Sequence, residues 1–200
     1  MQMKPGLLGY NHCMWDKAER FLIKDKYIGP LIKKWGHCKI NPIKKSLYFE
    51  DLVDAICSQQ LSGKAAETIF NRVKKLLVRI TPLNVLAKSD QELRDCGLSW
   101  GKVKYVKDLA SRAKSGEIKL GALDKLPDDG VITELVAVKG IGRWTAEMFL
   151  MFSLARPDIF PVDDLGIRKA MAKLKLKSSD RWKPYRTVAS WYLWRSLENR

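Results

Sequence analysis

Two adjacent carboxylates, Asp163 and Asp164, follow an apolar strap, Ile159-Phe160-Pro161-Val162, and stand where the next helical pattern begins. Upstream of them, Lys139-Gly140-Ile141-Gly142 makes a tight turn between two helical runs. Each feature has a plain use and a chemical one. A carboxylate at a helix start can simply cap backbone amides. It can also serve as a fixed negative charge, kept ionised by the helix dipole, beside positive charge that develops during a reaction. The glycine turn can be a bare connector in which Ile141 pins two helices together. Its glycines can also let the backbone approach a partner, with the amides at the start of the second helix forming a phosphate site. The chain carries 37 Lys and Arg against 22 Asp and Glu, a net charge of +15. In so basic a chain, with the Asp pair about twenty residues downstream, the hairpin is read as a phosphate site rather than a bare connector.

The elements that must position these residues are helical. Leu52, Val53, Ile56 and Leu61, then Ile69, Val73, Leu76 and Leu77, recur at three- and four-residue spacings. Ser58-Gln59-Gln60-Leu61-Ser62-Gly63 separates those two helices, with Ser62 as N-cap of the second. Thr81-Pro82 and Ser89-Asp90-Gln91-Glu92 each open a short helix, and Gly97 ends the latter. Val103, Val106, Leu109 and Ala110 mark a helix that stops near Gly116. From Asp128 a helix runs to about Val138 and, past the turn, another to about Leu154. A last helix follows Trp182-Lys183-Pro184 and carries Trp191 and Trp194. No strand-period hairpin, repeat or low-complexity linker interrupts this, so the fold class is all-α.

The basic residues sit as pairs and singles within helical segments, which indicates a charged face on a folded body rather than a basic tail. The partner is a polyanion, nucleic acid before an anionic membrane surface. If about five phosphates are neutralised, the log–log salt slope of binding is roughly −4 to −5. Cys13, Cys38, Cys57 and Cys96 form no C-x-x-C pair, and His12 and His37 are the only histidines, too sparse a set for a zinc site. Reduced thiols, no apolar run near the ~20 residues of a bilayer span, and no signal-peptide core in Met1–Tyr10 lead to an expectation of a soluble intracellular protein, in cytoplasm and nucleoid or in a nucleus.

The chain resembles the helix-hairpin-helix (HhH-GPD) base-excision DNA glycosylase superfamily, most closely its 3-methyladenine DNA glycosylase II branch. The resemblance runs through Asp25-Lys26-Tyr27-Ile28-Gly29-Pro30-Leu31-Ile32, Ile56-Cys57-Ser58-Gln59-Gln60-Leu61-Ser62 and Gly97-Leu98-Ser99-Trp100-Gly101-Lys102. It is strongest in Val138-Lys139-Gly140-Ile141-Gly142-Arg143-Trp144-Thr145-Ala146, Phe160-Pro161-Val162-Asp163-Asp164-Leu165-Gly166 and Trp182-Lys183-Pro184-Tyr185-Arg186. It implies an enzyme of base excision repair that flips an alkylated purine, of the 3-methyladenine or 7-methylguanine type, from duplex DNA and hydrolyses its N-glycosidic bond. Asp164 is then the essential carboxylate, stabilising an oxocarbenium-like sugar, and Asp163 a structural support. Trp144, Met148, Leu165 and Trp194 line the base pocket, whose aromatic faces suit electron-poor bases. Met148 and Leu165 stand where some relatives have aromatics.

The same resemblance assigns DNA contacts to Gln60, which fills the gap left by the flipped base with Leu61 wedged beside it, to Thr145, and to the amides of Gly140, Ile141 and Gly142. Leu61 as a core residue is an equal alternative. A Na⁺ or K⁺ ion on the carbonyls of Val136, Val138 and Ile141 is also implied. Trp144 occupies the place of the Schiff-base lysine of bifunctional relatives, so no lyase activity is expected. With no cysteine after Cys96, no iron–sulfur cluster is expected either. Duplex DNA carrying a damaged base is the partner, and a monomer is expected. Two other readings stay open: a glycosylase for deaminated, etheno or oxidised bases, and a non-catalytic hairpin DNA-binding module. Relatives often carry an extra N-terminal sheet domain, for which the segment before the first core helix leaves no room. The expected architecture is a single domain over 1–200 with two lobes and a central cleft. One lobe spans about 48–128; the other joins about 1–47 to 129–200, with the hairpin at about 131–154.

Overall fold

The computed structural model describes residues 14–198; His12, Cys13 and the Met1–Tyr10 segment lie outside the described residues. Eleven α-helices follow one another in this part of the chain. They are α1 (Asp16–Leu22), α2 (Ile28–Trp35), α3 (Tyr48–Ser58), α4 (Gly63–Leu77), α5 (Pro82–Leu86), α6 (Asp90–Asp95) and α7 (Trp100–Ser115). After these come α8 (Asp128–Val136), α9 (Arg143–Met148), α10 (Leu165–Lys173) and α11 (Arg186–Arg195). No strand is present among the described residues, and the all-α expectation holds. None of these helices is long and apolar enough to cross a membrane.

The chain forms two compact units, one spanning 40–156 and the other joining 1–39 to 157–200. In the first, α3 buries Leu52, Val53, Ile56 and Cys57 completely, and α7 does the same with Val103, Val106, Leu109 and Ala110. Those faces are the periodic positions read from sequence. Burying each such aliphatic side chain stabilises the unit by about 1.5–3 kcal/mol. The helix starts are fixed by side chains. Thr81 accepts the Asn84 amide, and Ser89 and Glu92 complete a reciprocal capping box. Ser99 accepts the Lys102 amide. Ser62 occupies the N-cap of α4, but its side chain makes no capping bond. Past α9 the backbone widens into a π-helical turn, Phe149–Ser153, with Leu154 N–H donating to the Phe149 carbonyl. The second hairpin helix is therefore α-helical only to Met148.

The expected lobe boundary differs from this division, because the whole hairpin belongs with the central segment. The Lys139 amide donates to Asp108 Oδ2 (2.9 Å), and the Gln59 side-chain amide donates to the Gly140 carbonyl (2.8 Å). Tyr105 packs so closely under Gly140 that a Cβ there would fall 2.2 Å from its ring. These contacts bind the hairpin to α3 and α7.

In the second unit α11 is the centre. Val188, Ala189, Tyr192 and Leu193 are wholly buried, and α1, α2 and α10 pack around it. Glu19, itself buried, joins the two arms of this unit. Its Oε1 accepts the Cys38 amide (2.7 Å) and the Tyr192 hydroxyl (3.0 Å), and its Oε2 lies 2.7 Å from His37 Nδ1. Arg186 forks onto Asp158, and Thr187 exchanges bonds with Pro157 and Ile159. The apolar strap before Asp164 is thereby tied to the start of α11.

Candidate functional site

Asp164 is the N-cap of α10, its Oδ1 accepting the Ile167 amide at 2.8 Å. The capping role considered from sequence is real, but it is not the whole of the geometry. The same oxygen accepts the indole N–H of Trp194 from α11 at 2.7 Å. Two N–H donors on one oxygen hold the carboxylate in a single orientation. Gly166 makes this possible: a Cβ there would lie 2.7 Å from Trp194 Cδ1 and 2.9 Å from its Nε1. Its role lies between elements, and no sequence signal beyond the quoted motif marks it. Asp163 is exposed, and the cap falls to Asp164. Leu165, 64% exposed, lines a separate groove of this unit with Phe160, Val162 and Met171.

In the other unit a second set of expected residues meets. Gln60, Gly140, Gly142, Trp144 and Thr145 line one groove together with Gln59, Lys102 and Tyr105. Trp144 is 46% exposed, which core packing would not leave it. Gln60 has φ +57°, a left-handed conformation that costs a non-glycine residue about 1–2 kcal/mol, and such outliers cluster at functional positions. Leu61 is exposed, so the core alternative for it does not hold. Thr145 is buried at 7% exposure and forms part of the groove floor.

Ile141 departs from the expectation. Its side chain is buried at 3% exposure, pinning the hairpin, and its amide donates to the Val138 carbonyl at 3.1 Å. An N–H closed into the turn is not available to a phosphate. The Val138 carbonyl keeps one lone pair beside this bond.

Met148 lies one turn beyond Trp144 and lines a neighbouring groove with Thr145, Phe149 and Phe152. Across that groove stand Asp51, Asp54, Ala55 and Ser58 of α3, at the i, i+3, i+4, i+7 spacing of one helix face. Sequence reasoning passed over Asp51 and Asp54, whose spacing is the one signal that could have found them. Burial pushes the Asp51 carboxyl above the usual carboxylate range, and the Ser153 hydroxyl donating at 2.5 Å offsets this in part.

A helical fold with a glycine hairpin, an exposed tryptophan beside it and a doubly held aspartate at a helix start defines a helix-hairpin-helix DNA repair class. The chain matches the model of the HhH-GPD superfamily base excision DNA repair proteins over residues 53–195, and it belongs to that family. Among curated proteins it is 37% identical over 182 residues to DNA-3-methyladenine glycosylase 1 of Schizosaccharomyces pombe, covering 83% of this chain and 80% of that protein. The structure of the S. pombe 3-methyladenine DNA glycosylase Mag1 in complex with abasic DNA superposes with a TM-score of 0.79 at 36% identity, over 90% of this chain and 96% of that one. A DNA-3-methyladenine glycosidase from Bacillus halodurans gives 0.79 at 34% identity, over 91% and 90%.

Proposed function

We propose that this protein is a monofunctional DNA glycosylase that hydrolyses the N-glycosidic bond of alkylated purines of the 3-methyladenine and 7-methylguanine type. The observation that carries the reading is the Asp164 carboxylate, oriented through one oxygen by the Ile167 amide and the Trp194 indole. As the base departs with the bonding electrons, positive charge grows on the deoxyribose, and a fixed carboxylate stabilises it. Water then adds to the sugar carbon and loses a proton to the carboxylate or to solvent, leaving free base and an abasic site. Trp144 offers no amine, so a Schiff base cannot form at that position. Membership of the family and the names of the relatives support this substrate class.

Trp144 and Met148 would line the base pocket, the role that the family resemblance also assigns to Trp194 and Leu165. Gln60 would fill the vacated stack with Leu61 beside it. The Gly140 and Gly142 amides, with Thr145 behind them, would receive the phosphate. The carbonyls of Val136, Val138 and Ile141 belong to a helix C-terminus and the turn after it, and the Val138 oxygen keeps a lone pair beside the Ile141 amide it accepts. Neutral oxygen donors of that kind suit Na⁺ or K⁺, whose charge would strengthen the phosphate site. The protein would act as a monomer on damaged duplex DNA.

The deciding experiment is base release from a duplex carrying one 7-methylguanine or ethenoadenine, wild type against Asp164→Asn. Loss of release with DNA binding retained is expected. An Asp164→Asn variant that releases base like the wild type would reduce Asp164 to a cap and the protein to a DNA-binding module. Borohydride should trap no covalent complex.

A further inference from the structure

Lys102 lies in the first turn of α7, and its ammonium donates to two main-chain carbonyls at the end of α3, those of Cys57 and Gln59, each at 2.7 Å. A lysine ammonium ordinarily reaches for water or a carboxylate. This one is half-buried, and burial lowers its pKa from the usual lysine value. Its partners are neutral, and the adjacent Cys57 thiol adds no charge, since burial pushes its pKa up to about 12. The ammonium therefore acts as a cap on a helix C-terminus, where cations are favoured and carbonyls lack partners.

The residues just past that helix end give the contact its meaning. Gln59 is anchored twice, its carbonyl by Lys102 and its side-chain amide by the Gly140 carbonyl of the hairpin turn. The next residue, Gln60, is the one held at φ +57°. A strained conformation persists only where its surroundings over-determine it, and here the two anchors on Gln59 add to the turn bond from the Leu61 amide to the Ser58 carbonyl (3.3 Å).

We infer that Lys102 is a positioning residue for the gap-filling loop: it clamps the carbonyls on either side of Ser58 so that Gln60 is presented preformed to the DNA stack. The inference rests on the proposed gap-filling role of Gln60. A preformed loop matters because every fraction of the population in another conformation weakens productive binding in proportion.

The test is a double-mutant cycle on the full chain, using Lys102→Met and Gln60→Ala singly and together. Alanine keeps the left-handed penalty while removing the filling side chain. The readouts are single-turnover base release from a 7-methylguanine duplex and the fluorescence of a 2-aminopurine beside the lesion, which reports extrusion. Lys102→Met is expected to slow release tenfold or more, with a matching loss of the extrusion signal and affinity for undamaged duplex within twofold. The double variant should be no slower than the slower single one. A costly Gln60→Ala with a silent Lys102→Met, or with losses that multiply in the double variant, overturns the role of Lys102 alone. A silent Gln60→Ala overturns the gap-filling reading and this inference with it. Should Lys102→Met fold poorly, Lys102→Gln, a shorter neutral donor, goes through the same cycle with a smaller loss of the same pattern expected.

Discussion

Gly166→Ala is a one-carbon test of how Asp164 is held. The added Cβ would sit 2.7 Å from Trp194 Cδ1, 2.9 Å from Nε1 and 3.1 Å from Asp164 Oδ1, where ordinary contact begins at 3.4 Å. The indole must retreat by about 0.7 Å (3.4 minus 2.7), which stretches its 2.7 Å bond to Asp164 to about 3.4 Å and out of useful range. A hydrogen bond to a charged group contributes about 1.5–3 kcal/mol, so base release should slow roughly 10- to 150-fold at 1.4 kcal/mol per decade. Stability should fall as well, by about 1–3 kcal/mol, because the lost bond and the crowding outweigh the roughly 0.5–1 kcal/mol by which alanine in place of glycine within a helix favours folding. The assay is single-turnover release of 7-methylguanine from duplex DNA, with thermal unfolding measured alongside. Trp194→Phe removes the donor without crowding and should lose a similar factor, and the two losses should not multiply. A folded Gly166→Ala protein that releases base at the wild-type rate refutes the reasoning, as does an unaffected Trp194→Phe.

Three further outcomes are expected. Gly140→Ala forces a side chain to φ +81° and into the Tyr105 ring. Strain and overpacking of about 2–5 kcal/mol should lower Tm by roughly 5–15 °C, with partial recovery when Tyr105→Ala is added; an unchanged Tm contradicts this. The hydrogen bond and charge of Glu19 raise the pKa of His37 against a small opposing effect of desolvation, so its NMR titration should centre above 6.5. The resulting stability is present in full below the ordinary histidine pKa and lost as pH rises through the folded midpoint; it is modest because the imidazole is largely exposed. Glu19→Gln should return the midpoint to its ordinary value. Asp51, raised by burial and by the nearby Asp54 and Glu50 charges, contributes stability below the ordinary carboxylate pKa and loses it as pH climbs through the folded one. Asp51→Asn keeps an acceptor for Ser153, so its urea midpoint should gain on the wild type between pH 4 and 7. A gap constant across that range would show that Asp51 titrates normally.

What could be read before folding was whatever a few neighbouring residues decide. The Ser89–Glu92 box, the Thr81-Pro82 start, the Gly116 stop and Asp164 at its cap all depend on contacts within a turn, and each was legible. The apolar faces of α3 and α7 were legible because helix period and burial coincide there. Hidden from such reading were contacts made across elements. Lys102 meets carbonyls more than forty residues earlier in the chain, and Gly166 yields space to an indole on another helix. Ile141 looked like a phosphate donor because its amide follows a glycine; only the closed turn shows that amide already engaged. Ile28, Leu31, Ile32 and Trp35 carry a helical spacing that marks α2, whereas the π-helical turn has no local code that marks it.

The unit that holds Asp164 is assembled from both arms of the chain, with the hairpin unit uninterrupted between them. During synthesis, at about 5–20 residues per second, residues 40–156 can close on their own contacts while the remainder is still being made. Glu19 meanwhile waits for Tyr192, and Asp164 for Trp194. The carboxylate therefore gains its orientation only after the hairpin unit has been made. A chain stopped before α11 would carry the finished hairpin while Asp164 still lacked the indole that orients it.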